Sequence, residues 1–298
     1  MPKLNWLISL VACAGISSVC LPVRGQAVLP YTPKLDSKKL ESQGLQLLQD
    51  AVQLIRFQQY DLALPRAELA TQLAPSNYEV WFILGSLYIQ QQEVEQGVKI
   101  LEKAESLAPE AEKEGILFSL GNAYFQQGDY EAAREKLESG LELEENSPEA
   151  LFDLGNTYLK LAEFDKAIDS YEEAFAIEAT FWPALNNVGL VEYEQGDRDG
   201  AIEKWQSVIE VDAKQAEPKL ALAVALFTEG DTQKGIEMGK AALELDSRYA
   251  DIQFLKDNLW GEQLIEDTKK FLSNPQIQEI VSNYDRAPSP AEESIPTP

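Results

Sequence analysis

Residues 120–133 read LGNAYFQQGDYEAA, residues 154–167 read LGNTYLKLAEFDKA, and residues 188–201 read VGLVEYEQGDRDGA, so one pattern returns twice at an interval of 34 residues. A fixed interval of this length marks stacked supersecondary units. One unit cannot bury its apolar face alone, and its neighbours complete the core. Within each copy a first helical pattern is followed by a break and a second pattern, which predicts two antiparallel helices joined by a tight turn. Gly128-Asp129, Gly196-Asp197 and Gly230-Asp231 fall at that break. Glycine suits the place because it accepts positive φ without a Cβ clash.

Working outward from this core, the phase places six units at 44–77, 78–111, 114–147, 148–181, 182–215 and 216–249, with one insertion near 111–113. Within a unit, repeat position 8 is small (Gly85, Gly121, Gly155, Gly189), and so is position 20 (Gly97, Ala133, Ala167, Ala201). Small residues there let two helix backbones approach. Positions 4, 7, 11 and 24 are large, as in Leu151, Leu154, Tyr158 and Tyr171, and fill the space around the contact. The unit from Gly44 keeps Ala63, Ala70 and Pro75, and the unit from Ala216 keeps Leu222, Ala223 and Ala242. All of these are core residues and carry no chemistry. Residues 250–284 read as capping helices over the last unit, with Trp260 and Phe271 packing there. Residues 285–298, rich in proline, read as a disordered tail.

The recurring residues match the tetratricopeptide repeat (TPR): Leu-Gly at positions 7 and 8, Tyr at 11, Ala at 20, an aromatic at 24 (Tyr171 and Trp205, with Leu101 and Leu137 in two units) and Pro at 32. The resemblance covers 44–249. It implies an all-α TPR solenoid, a right-handed superhelix of antiparallel helix pairs, closed by a C-terminal capping helix. It also implies a non-catalytic scaffold that holds peptides or domains along the concave face, which repeat positions 2, 5, 9, 12 and 13 line. Carried onto this chain, that face presents Phe82, Phe118, Asn122, Phe125, Phe152, Asn156, Asn186 and Tyr193. Aromatic rings anchor a bound segment, and asparagine both donates and accepts hydrogen bonds to its backbone. The competing reading is that some of these rings pack between helices. The carboxylate clamp of chaperone-binding TPRs is matched only at Asn156 and Asn187. Phe152, Glu217 and Ala221 stand where the clamp needs basic residues, which puts recognition of an acidic C-terminus in doubt. A weaker resemblance, through the leader, the array and DNLWGEQLIEDTKKFLSNP at 257–275, is to cyanobacterial thylakoid TPR proteins of the Pitt type. It implies a role in photosynthetic membrane assembly or pigment synthesis.

Composition narrows the partner. Fifty acidic residues stand against 25 basic ones, for a net charge of −25. That excludes the basic face that nucleic acid requires and favours a neutral or basic protein segment. The chain has no histidine, and its two cysteines are Cys13 and Cys20. The absence of histidine removes the commonest general base and the imidazole ligand of zinc sites. No cofactor, metal site or enzymatic activity is expected. The run Glu142, Glu144, Glu145 reads as a solvated acidic face.

Lys3, an apolar run over 4–23 and Arg24 form a leader over 1–27. Three readings remain open. It is a signal peptide cut after Gly25-Gln26-Ala27, an uncleaved transmembrane anchor, or a lipoprotein leader in which Leu10-Val11-Ala12-Cys13 resembles a lipobox. Residues 28–43, with Pro30 and Pro33, read as a linker. The expected function is a membrane-associated or exported scaffold, an assembly or biogenesis factor, in the periplasm or at the thylakoid of a cyanobacterium-like cell. The alternative is a non-catalytic TPR subunit of a bacterial envelope machine for secretion or cell-wall assembly.

Overall fold

The structure is a computed structural model and describes residues 36–284. The leader at 1–27 and the tail at 285–298 lie outside the described residues. Among the described residues there are helices and turns and no strand. Six helix pairs follow one another: α1 (Ser37–Arg56) with α2 (Tyr60–Leu73), α3 (Tyr78–Gln90) with α4 (Val94–Leu107), and α5 (Glu114–Gln127) with α6 (Tyr130–Leu143). Then come α7 (Pro148–Lys160) with α8 (Phe164–Ile177), α9 (Trp182–Gln195) with α10 (Arg198–Val211), and α11 (Ala216–Thr228) with α12 (Thr232–Leu245). A 3-10 turn over Glu110–Glu112 takes up the extra residues between the second and third pairs.

Local chemistry sets the helix ends. Asn77, Asp129, Ser147 and Asp197 precede helices, and their side chains accept from the backbone N–H of Val80, Ala132, Ala150 and Gly200. Each satisfies a donor that the first turn leaves without an intrahelical partner. Pro148 and Pro183 sit in first turns, where a missing N–H costs nothing. Gly128, Gly196 and Gly230 end α5, α9 and α11 at φ of +80°, +87° and +99°. The same place in the other three units holds Gln58, Gln92 and Ala162, also at positive φ (57°, 64° and 57°).

Inside four consecutive units the position-8 glycine faces the position-24 side chain. A Cβ on Gly85, Gly121, Gly155 or Gly189 would stand 2.8, 2.6, 2.5 or 2.7 Å from Leu101, Leu137, Tyr171 or Trp205 respectively. The sixth unit inverts this arrangement. Ala223 takes the small position, Gly239 stands at position 24, and Phe271 from the C-terminal segment lies against Gly239 in the space a Cβ would need.

Two boundaries differ from the sequence reading. The stretch 28–43 was expected as linker, yet α1 begins at Ser37. No proline or helix-ending glycine interrupts the chain from Ser37 to Arg56, and Leu40, Gly44, Leu48 and Ala51 recur at helical spacing on the packed side. The capping segment also does more than stack on the last unit. It forms a 3-10 turn (Ser247–Ala250), α13 (Ile252–Asp257), α14 (Glu262–Leu272) and α15 (Pro275–Tyr284). Helix α15 packs on α12, while α14 crosses onto α11 and α9, the first helices of the last two units.

Candidate partner-binding groove

First helices of successive units approach one another, α3 with α5 and α5 with α7. They therefore line the inner face of the array. Two clefts open on it. The first, about 360 Å³, lies among Ser86, Ile89, Phe118, Asn122, Gln126 and Asp153. The second, about 330 Å³, has Phe125, Phe152, Asn156, Asn186, Asn187 and Glu217 among its walls. Six of the eight expected groove residues (Phe118, Asn122, Phe125, Phe152, Asn156 and Asn186) thus line one cleft or the other.

The aromatic residues have a double role. Phe118 is half-buried, and its ring rests on Gly140, whose Cβ would stand 2.5 Å away. Phe152 packs between Tyr171 and Phe181 with ring centroids at 5.6 and 5.4 Å. Phe125 meets Tyr130 edge-on at 5.3 Å. Each ring is held by core neighbours on one side and borders a cleft on the other. Phe82 is half-buried in the cluster around Leu101 and Leu120 and is not among the residues lining either cleft.

The asparagines are pre-positioned. Asn122 is exposed and donates to the Asp153 carboxylate at 3.2 Å, while Gln126 donates to the Asn122 carbonyl at 3.0 Å. Asp153 is pushed up to about 6, first by burial and then by Glu149, against the lowering effect of the Asn122 amide. The Asn156 carbonyl accepts from the Tyr171 hydroxyl at 2.7 Å and from the Asn187 amide at 3.1 Å. The two asparagines that match the clamp pattern are therefore bonded to each other.

Tyr193 requires correction as an open groove residue, and Asn186 lines the second cleft as a buried side chain. Asn186 is 1% exposed and Tyr193 is 0% exposed. The Tyr193 hydroxyl donates to Asp267 of α14 at 2.8 Å. Burial alone would raise Asp267, but Lys270, Tyr193 and Arg198 together hold it below the ordinary range. The neighbouring Glu194 carboxylate accepts from the backbone N–H of Gln263 and Leu264 at 3.1 and 3.0 Å and so caps α14. Glu217 accepts from the Trp260 indole at 2.9 Å and the Tyr249 hydroxyl at 3.4 Å. Over the last two units the chain's own C-terminal segment occupies the inner face. Sequence reasoning missed Glu194 and Glu217 as its docking residues. The available signal was their place at repeat positions 13 and 2, both on the inner face.

A larger cleft of about 570 Å³ lies between α6, α7 and α8, where Glu138, Glu142, Glu145, Asp169 and Glu173 surround Lys166. Two of the three glutamates read as a solvated face border this cleft.

The fold and its inner groove define an all-α repeat solenoid of the kind that holds other proteins. Family profiles for the TPR match residues 121–161, 148–180 and 189–250. The chain carries tetratricopeptide repeats, the repeat of protein-binding scaffolds. A profile described as ChAPs (Chs5p-Arf1p-binding proteins) matches residues 26–114. Among solved structures, MamA is 24% identical, with a TM-score of 0.51 over 56% of this chain and 96% of its own. YrrB, described as a TPR protein with an unusual peptide-binding site, is 19% identical, with a TM-score of 0.53 over 61% and 94%. PilF of Pseudomonas aeruginosa is 14% identical, with a TM-score of 0.60 over 75% and 98%. At these identities the likeness is one of fold. No curated protein sequence matches the chain.

Proposed function

We propose that this chain is a membrane-associated or exported scaffold that holds a neutral or basic segment of another protein on the inner face of α3, α5 and α7. The observation that carries this reading is the chain's own example. Helix α14 lies across α9 and α11 and is held by Glu194 and Tyr193 at inner-face positions. The corresponding face of the preceding units has aromatic and asparagine side chains bordering clefts. The peptide-binding site named for YrrB and the match to Arf1p-binding proteins point the same way. The apolar leader supports a place at or across a membrane, and the Pitt-type resemblance supports assembly of photosynthetic or pigment-synthesis proteins.

The test is recovery of partners from native membranes with wild-type protein and with Phe118→Ala/Phe152→Ala. Affinity for the recovered partner is expected to fall by about 1–3 kcal/mol, as for central aromatic anchors. Circular dichroism checks that the variant is folded. Unchanged affinity in a folded double variant would overturn the reading. Alkaline washing of membranes and N-terminal mass determination test the location, which an intact Met1 on a freely soluble protein would refute.

A further inference from the structure

The second cleft has an unusual composition. Its walls carry two carboxylates, Glu217 and Asp257, and four asparagines, with no lysine or arginine among them. Glu217 is 9% exposed and is held in place by Trp260, Tyr249 and Asn186. Asn186 is 1% exposed, and its side-chain oxygen has no hydrogen-bond partner. A buried acceptor left without a donor is costly, and natural structures rarely keep one without a reason. Here Asn186, the residue carrying that oxygen, and Glu217, with its buried carboxylate, both line one cleft of about 330 Å³. The Phe125 and Phe152 rings form another part of its wall, and an aromatic ring attracts a cation.

We infer that this cleft is a pocket for a cationic side chain, the lysine or arginine of a partner's segment, with Glu217 and Asn186 receiving its N–H groups. An ammonium or guanidinium supplies donors and no acceptor, which complements walls rich in acceptors. Its charge compensates the buried carboxylate, whose ionised form burial otherwise disfavours. The alkyl stem would run past Phe152 and Phe125 toward the open groove. A negatively charged or purely apolar side chain leaves the Asn186 oxygen unpaired. This inference rests on the groove reading and specifies which residue the partner brings to it.

The experiment uses the full chain and two probes with the same four-carbon side-chain stem, N-acetyl-lysine methylamide, which ends in an ammonium, and N-acetyl-norleucine methylamide, which ends in a methyl group. Binding is followed through the Trp260 indole N–H resonance, which reports on Glu217 directly. The lysine probe is expected to shift this resonance saturably and to bind about tenfold or more tighter than the norleucine probe. Glu217→Gln is expected to abolish the difference. Equal binding of the two probes to wild type, no saturable shift with lysine, or discrimination retained in a folded Glu217→Gln would each overturn the inference. If Glu217→Gln does not fold, the comparison of the two probes on wild type still decides. Failure of the lysine probe beside a partner that depends on Phe118 and Phe152 removes the pocket and leaves the groove. A lysine probe that binds beside a partner indifferent to those rings does the reverse.

Discussion

Ala162 holds a backbone conformation that its Cβ disfavours. Its φ is +57°, at the same repeat position where Gly128, Gly196 and Gly230 adopt theirs without strain. The turn demands left-handed geometry in every unit, whatever residue the unit supplies. Ala162→Gly is therefore expected to stabilise the protein by about 0.5–1 kcal/mol, seen as a higher melting temperature. A lower one would mean that the entropy glycine adds to the unfolded chain outweighs the relieved strain. Asp153 gives a second residue-scale prediction. Its folded pKa of about 6 lies above the ordinary 3.8, so the ionised form is the disfavoured one. Its contribution is fully present below the ordinary value and is lost as pH rises through about 6. Asp153→Asn keeps an acceptor for Asn122 and should melt higher than wild type at pH above about 7, with the gap closing at about pH 4. Thermal melts across that range check it, and a gap independent of pH would refute the burial argument.

At the scale of the helix pair, the position-8 glycine is the closest packing decision. Gly155 faces Tyr171, and a Cβ there would stand 2.5 Å from a ring that is itself fully buried. Gly155→Leu is expected to cost on the order of 1–3 kcal/mol by forcing that ring aside. An unchanged melting curve would contradict the packing described. Helix α14 depends on a different kind of contact, two backbone donors bonded to the Glu194 carboxylate. Glu194→Ala should weaken its docking by about 1–2 kcal/mol. The direct readout is faster hydrogen exchange over Glu262–Leu272, with exchange in α3 and α5 unchanged. Gly261 belongs to the same contact, since a Cβ there would run into the Glu194 side chain.

Across the described array, stability is a chain of nearest-neighbour contacts, so damage should stay regional. The C-terminal segment shares one apolar cluster with α9 to α12, through Trp260, Leu264, Ile265 and Phe271. A chain ending at Asp257 is expected to lose hydrogen-exchange protection in α9 through α12 and to keep it in α3 through α6. Uniform loss would show that the array unfolds as one cooperative block.

The repeat interval, the phase of the units from Tyr78 to Ala216 and the glycine turns were legible in the sequence because they are local. Each depends on residue size or backbone freedom at a fixed offset, and each recurs often enough to be recognised. The TPR resemblance added the inner-face positions, and six of the eight residues it named line the clefts. The fate of Asn186 and Tyr193 was not legible. Both occupy inner-face positions like the others, but the return of α14 covers Tyr193 through Asp267, and Asn186 is buried beside Glu217 of α11. That return depends on contacts spanning 43 to 74 residues, between Glu217 and Trp260 and between Tyr193 and Asp267. No periodicity encodes such a contact, because it is made once. Gly239 shows the same limit, a gap in the pattern that becomes intelligible when Phe271 is seen lying against it. The sequence by itself determined a solenoid and the face it offers. The tertiary structure decided how much of that face stays open, because a unique long-range contact is a property of the folded chain and not of any repeated offset.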